Sequence, residues 1–208
     1  MYYDFFTYEL AANIVSFMKL FKHRPVSGTE EPESLMLKVK AGDRKAFTTL
    51  YERFKGPIFF YLTGFVGRNA VAEDLAHEVF LKMYRSRENY ESTARFTTWL
   101  WTIARNTALD EVRKKGELLA DTEDSFPEVA SDPDLGAEAL LVERARQAQV
   151  ENCLSELPAR QRDAVMLRIA GDHSYEEIAG IMVMSLANVK NLLHRAKAAL
   201  TKCLEGSV

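Results

Sequence analysis

Between Gly116 and Glu143 the chain carries nine carboxylates and no basic residue. Such a run repels itself and offers no sustained apolar stripe to bury. Ser125-Phe126-Pro127 and Ser131-Asp132-Pro133-Asp134 add turn chemistry inside it. The segment therefore reads as a flexible acidic linker over residues 116–139, clearest from Gly116 to Gly136. A single hydrophobic core cannot run through it, so the 208 residues divide into two blocks. A second break, from Pro25 to Pro32, sets residues 1–32 apart as an extension. The expected domains are residues 33–115 and residues 140–208.

Both blocks carry helical periodicity. Val71, Leu75 and Val79 recur every four residues, with Phe80 and Met83 on the same broad face. Asn69 stands at the cap position, and Glu73 and Asp74 occupy the first turn, where the helix dipole favours carboxylates. Phe96, Leu100, Ile103, Thr107 and Val112 outline another helix. Pro158 suits the first position of a third, which Gly171 then stops. Ser174-Tyr175-Glu176-Glu177 is a capping box ahead of Ile178, Ile181 and Met182. Ser185 caps a last helix carrying Val189, Leu193, Ala196 and Leu200. No stretch alternates as strands do, so the expected class is all-α: two small helical domains, the second a helix-turn-helix.

Composition excludes several functions. An apolar fraction of 47% and a charged fraction of 27% belong to an ordinary globular chain. No apolar run approaches the roughly 18–20 residues that cross a bilayer. The first twenty residues lack a basic start and a small-residue cleavage site, so they do not read as a signal peptide. Cys153 and Cys203 lie far apart and are expected to form neither a disulfide framework nor a zinc site. The expected location is a reducing cytoplasm. His77, His173 and His194 fall in separate modules, and no Gly-rich phosphate loop or metal-ligand spacing accompanies them. An enzyme is a poor reading, and no catalytic residue, cofactor, metal or small-molecule substrate is expected.

The net charge of −3 hides cationic segments. From Arg85 to Lys115 seven cations face four carboxylates, and Leu186 to Lys202 carries four cations and no carboxylate. Binding to nucleic acid depends on such patches rather than on the sum. The second patch lies on a capped helix, a tight turn and a longer basic helix, with small Ala179 where the two would cross. In that arrangement the second helix enters the major groove. Asn188, Lys190, Asn191, His194, Arg195 and Lys197 remain outside its apolar face, where Asn and Arg suit base edges and Lys suits phosphate. A solvated helical hairpin is the bland alternative. In the first patch, Arg95 to Asn106 interleaves aromatics with cations, as single-strand binding requires. Phe96, Leu100 and Ile103 also read simply as core. Trp99 and Trp101 cannot face the same way on a helix, so one of them needs a surface or a second contact.

Three segments together are more specific: Ala41-Gly42-Asp43-Arg44-Lys45-Ala46-Phe47-Thr48-Thr49-Leu50-Tyr51, Ala72-Glu73-Asp74-Leu75-Ala76-His77-Glu78-Val79-Phe80, and Thr98-Trp99-Leu100 with Ile103-Ala104-Arg105-Asn106. They resemble region two of bacterial sigma factors, above all the extracytoplasmic-function group. Leu157 to Arg162, Tyr175 to Ala179, Val189-Lys190 and His194-Arg195-Ala196 resemble region four. The resemblance spans about Glu33 to Leu204. It implies a promoter-specificity subunit that binds core RNA polymerase and directs promoter recognition, melting and initiation. Asp74, Leu75, Glu78, Val79 and Phe80 would then dock on polymerase. Arg95, Phe96, Thr97, Thr98, Trp99 and Asn106 would hold the melted non-template strand of the minus-ten element, with Arg105, Arg113, Lys114 and Lys115 on phosphates. A flipped base would be held between Glu88 and Arg95. The six polar residues from Asn188 to Lys197 would read the duplex minus-thirty-five element. The resemblance also implies an anti-sigma factor as partner.

The sequence departs from the family at Val183, Ala187, Asn188 and Leu192, where many relatives carry Gly, Gly, Thr and Arg. Leu192 removes one phosphate-binding cation. The acidic linker reads either as a tether or as an RNA mimic in a polymerase channel. In the extension, Tyr3, Phe6, Leu10, Ile14, Phe17 and Phe21 fall near one helical face. This is either a packing segment or an over-long start, with Met18 and Met36 as other initiators. The competing function is a stand-alone helix-turn-helix regulator, which needs no polymerase-docking helix.

Overall fold

The computed structural model describes residues 30–67, 69–92, 95–119, 145 and 148–206. The aromatic face of the extension and residues 120–139 of the linker lie outside the described residues. All regular structure among the described residues is helical. The N-terminal bundle comprises α1 (Pro32–Lys40), α2 (Arg44–Val66), α3 (Asn69–Arg85), a 3-10 turn (Arg87–Asn89) and α4 (Phe96–Leu119). The C-terminal bundle comprises a helical segment at 148–155, then α5 (Ala159–Gly171), α6 (Tyr175–Met182) and α7 (Leu186–Glu205).

Local chemistry fixes the ends. Asp43 Oδ1 accepts from the Lys45 and Ala46 amides (2.8 and 3.2 Å), starting α2. Gly67, at φ 61°, ends it in the left-handed region where glycine carries no Cβ penalty. Helix α3 begins at Asn69 itself. The start of α4 is satisfied from a distance, because Glu33 Oε1 accepts from the Phe96 amide at 2.8 Å. Helix α4 runs on to Leu119, past the expected linker start at residue 116. Gly116 lowers helix propensity by only about 1 kcal/mol, which does not by itself end a helix.

The capping box forms as expected. Ser174 Oγ accepts from the Glu177 amide (3.1 Å) and Glu177 Oε2 accepts from the Ser174 amide (2.8 Å). Ser185 Oγ accepts from the Asn188 amide at 3.3 Å. Pro158 stands one position outside α5 rather than within it. Gly171 does not supply the left-handed stop, which falls on Asp172 at φ 51°. Gly171 is required for space instead. A Cβ there would land on the His173 ring and lie 3.0 Å from Trp101.

The cysteine expectation is corrected. Cys153 and Cys203 form a disulfide, with Cα atoms 5.9 Å apart. The helical segment at 148–155 packs beside the end of α7, so a long separation in sequence becomes contact in space.

Each bundle buries its own apolar faces. Leu50, Ile58, Val79, Met83, Phe96, Leu100 and Ala104 are fully enclosed in the first, and Val165, Leu167, Ile178, Ile181, Val189 and Leu193 in the second. Val112, expected on the apolar face of α4, is 42% exposed. The bundles meet along a seam where α2 packs on α5 and α4 packs on α6.

The turn between α6 and α7 places Val183 at φ 53° with 86% of its surface exposed. A β-branched residue in the left-handed region costs roughly 1–2 kcal/mol. Val183→Gly should therefore raise stability by about 1 kcal/mol, read as a higher Tm. Gly171→Ala should lower stability by about 1–3 kcal/mol through overpacking.

Candidate nucleic-acid interface

Helix α7 is divided along its length. Val189, Leu193, Ala196 and Leu200 are buried. Asn188, Lys190, Asn191, His194 and Arg195 are exposed, and Lys197 is half-buried. The sequence places all six outward, and the structure gathers them on one solvent-facing surface of one rigid helix. The Ser185 cap and the Met184 amide bond to Ala179 O (3.0 Å) set the angle at which α6 presents it.

The cations of α4 are arranged differently. Arg105 is only 17% exposed, and its Nε donates to Asp163 Oδ2 at 2.7 Å. Tyr61 Oη donates to the other oxygen at 2.9 Å, across 102 residues of sequence. Burial pushes the Asp163 carboxyl upward, against the opposing pull of Arg105 and Tyr61. Burial and the same carboxylate hold the Tyr61 phenol well above its ordinary value, so it stays a neutral donor. Arg95 pairs with Glu177 at 2.8 Å. The Thr98 methyl lies 3.7 Å from the position of a Cβ on Gly180.

Phe96 is fully buried against Phe54, Tyr90 and Trp99, so in this form it has no face for a base. Trp99 is half-buried beside Tyr90, with ring centroids 5.1 Å apart. Trp101 makes the second contact, edge-on to Tyr61 and to His173 across the seam. Thr97 is half-buried. Asn106, Arg113 and Lys114 are exposed. The Lys115 side chain lies outside the described residues.

The docking helix needs a correction. Leu75, Val79 and Phe80 are 5%, 0% and 2% exposed, so they build the bundle's own core and present nothing to a partner. Their four-residue recurrence marks the inner face of α3. The outer face carries Asp74 and His77, with Glu78 half-buried and paired to Lys82 at 2.9 Å, and then Leu81 at 52% exposure. Sequence reasoning missed Leu81. Its spacing of seven from Asp74 and four from His77 is the signal that would have found it.

His173 is also unexpected. It is 2% exposed, its Nε2 has no hydrogen-bond partner, and its Nδ1 lies 3.9 Å from Glu177 Oε2. Burial, reinforced by Arg168 and opposed by Glu177 and Asp172, pushes its pKa down to about 4.

Comparison with known proteins follows the same division. The Sigma-70 region 2 family model matches residues 50–117, and the Sigma-70 region 4 model matches residues 147–200. The RNA polymerase sigma-H factor of Pseudomonas aeruginosa is 30% identical over 183 residues, covering 85% of this chain and 95% of that protein. The ECF RNA polymerase sigma-E factor of Haemophilus influenzae is 32% identical over 173 residues, covering 79% and 90%. CnrH, solved in complex with the cytosolic domain of CnrY, shares the fold with a TM-score of 0.66 at 18% identity, over 86% of this chain and 100% of that one. The sigma factor RpoE of Bartonella quintana, solved with the anti-sigma factor NepR, has a TM-score of 0.66 at 24% identity, over 77% and 98%.

An unfolded imidazole takes up a proton near pH 6.5, whereas folded His173 refuses it until about pH 4. The unfolded state therefore binds more protons in that window, and stability falls as pH falls. Asp163 acts in the opposite sense, and equally in both proteins compared. Between pH 7 and pH 5 the wild type should lose about 2 kcal/mol more than His173→Gln, measured by urea unfolding.

Proposed function

This chain belongs to the extracytoplasmic-function group of the sigma-70 family, and we propose from its geometry how it divides the work of a promoter-specificity subunit. It is a sigma factor: it binds core RNA polymerase and directs promoter recognition and transcription initiation. The supporting observation is the pairing of two modules. A helix-turn-helix with an open polar face stands beside a region-two bundle, which a stand-alone regulator would not need.

In this reading the domains are residues 33–115 and 140–208, joined by the segment 116–139. The outer stripe of α3, Asp74, His77, Glu78 and Leu81, meets the polymerase, and Leu75, Val79 and Phe80 hold that stripe in shape. The start of α4 captures the melted minus-ten strand through Arg95, Thr97, Thr98, Trp99 and Asn106, with Arg105, Arg113, Lys114 and Lys115 on phosphates. Phe96 positions that helix. Asn188, Asn191, His194 and Arg195 read the minus-thirty-five duplex, while Lys190 and Lys197 hold its backbone. An anti-sigma factor restrains the chain. No bond is made or broken by its own residues, and it works in the cytoplasm. Among the described residues no helix is long and apolar enough to cross a membrane.

Run-off transcription tests the whole reading. Purified chain with sigma-free core polymerase, on fragmented genomic DNA of the source bacterium, should yield discrete transcripts absent with core alone. No transcripts and no co-elution with core would favour the polymerase-independent regulator.

Asp74→Ala and Leu81→Ala should each weaken core binding about tenfold at unchanged Tm. Phe80→Ala should instead cost about 3–5 kcal/mol of stability. Lys190→Ala should weaken duplex binding about equally across sequences and flatten its salt dependence by about one unit of slope, whereas Arg195→Ala should relax specificity at one base position.

A further inference from the structure

The ring of Trp99 is seated beside two others, Tyr90 with centroids 5.1 Å apart and Phe96 with centroids 6.2 Å apart. Each of those two residues is tied to α1 through its own backbone. The Phe96 amide donates to Glu33 Oε1 at 2.8 Å, and the Tyr90 carbonyl accepts from the Lys40 ammonium at 2.9 Å. The ties cross 63 and 50 residues of sequence. The region 2 match begins at residue 50, so α1 lies outside it. We propose that Glu33 and Lys40 are positioning residues for strand capture: α1 braces the two rings that seat Trp99, and so fixes the platform on which an unstacked base of the minus-ten strand is held. This inference rests on the minus-ten assignment above.

Helix α1 suits a brace. Leu35, Met36 and Val39 are buried and hold it on α2. Glu33 and Lys40 stand seven residues apart, two turns along one face, so they reach two points about 10 Å apart. The carboxylate lies in the first turn and the ammonium in the last, where the helix dipole favours each sign. Charge-assisted hydrogen bonds are directional, whereas contacts between rings allow several tilts. Tyr90 needs such a tie. It is 2% exposed, and its hydroxyl has no partner among the described residues, so no hydrogen bond of its own side chain locates it. The Lys40 bond locates it from the backbone instead. A stacking platform works through a ring face presented at a fixed angle. Loss of either tie lets the seat of Trp99 relax and lowers strand affinity, although no group that touches the strand has been removed. Glu33 separates this role from plain electrostatics. A carboxylate beside a polyanion opposes binding, so by charge alone its removal would tighten the complex. As a brace, its removal loosens it.

The test uses the full chain bound to core polymerase. The probe is a labelled single-stranded DNA with the sequence found upstream of a transcript in the run-off experiment, followed by fluorescence anisotropy at several salt concentrations. Tm and core binding are the controls on folding. Trp99→Ala sets the scale and should weaken strand binding about tenfold. Glu33→Ala and Lys40→Met should each lose about as much, at unchanged salt slope. Glu33→Gln keeps an acceptor and Lys40→Arg keeps a donor, so both should bind like the wild type. On the Trp99→Ala background, Glu33→Ala should weaken binding no further, because it acts through that ring. Should Glu33→Ala fold poorly, Lys40→Met carries the same comparison. Unchanged or tighter binding by both, with Trp99→Ala weakened, overturns the brace and leaves the minus-ten assignment standing. Losses that add to that of Trp99→Ala, or a flatter salt slope, also overturn it, because the two side chains then meet the strand themselves. So does failure of both conservative variants to rescue. Unchanged binding by Trp99→Ala removes the minus-ten assignment, and the brace with it.

Discussion

A carboxylate with almost no access to water must be answered by its surroundings, and Asp163 is answered from two helices of the other bundle. Tyr61 and Arg105 satisfy its two oxygens. That demand fixes how α5 lies on α2 and α4, and the neighbouring contacts are compatible with one register only. Met166 enters the gap left by Gly64, and His173, lying over Gly171 at the end of α5 itself, meets Trp101 edge-on. Moving α5 by one turn would orphan the carboxylate, take Met166 out of the gap at Gly64 and part His173 from Trp101. The polar cluster thus supplies specificity where apolar packing alone would tolerate sliding.

Much of the fold was legible because its signals are local. The Ser174 capping box, the Ser185 cap and the recurrence of Val189, Leu193, Ala196 and Leu200 are each set within one or two turns of chain, and all three appear in space as the residues suggest. Failures occur where the deciding partner lies far away in sequence. Gly171 looks like a stop signal, and its real constraint is the His173 ring two residues on, which packs against the distant Trp101. Asp163 looks like an ordinary polar residue at the start of an apolar run. Its role depends on Tyr61, 102 residues earlier. The cysteine pair failed for the same reason, since distance along a chain says little about distance across a bundle.

The candidate site was legible to an uneven degree. On α7 the outward positions of the periodic pattern are the functional candidates, so periodicity alone selects them. On α3 the docking candidates came from the family resemblance and fall on both faces of the helix. Asp74 and Glu78 lie on the outer side, whereas the apolar recurrence of Leu75 and Val79, with Phe80, is consumed by the bundle's own core. The residues left facing outward are the less conspicuous ones, Asp74, His77 and Leu81. On α4 the interleaved aromatics divide between both fates. Phe96 and Trp101 are structural, and Trp99 keeps a partly open edge.

The Cys153–Cys203 bond makes the helix-turn-helix a covalent ring. Its closure, 50 residues apart in sequence, takes in α5, α6 and nearly all of α7. A chain tied at both ends has far fewer disordered arrangements to explore, an advantage of about 4 kcal/mol on chain-statistical grounds for a loop of this length. No such tie exists among the described residues of the N-terminal bundle. The two halves of the molecule therefore remember their shapes differently. One is held by packing alone and can be lost end first, whereas the other is confined by topology and keeps its ends together even after its helices have melted.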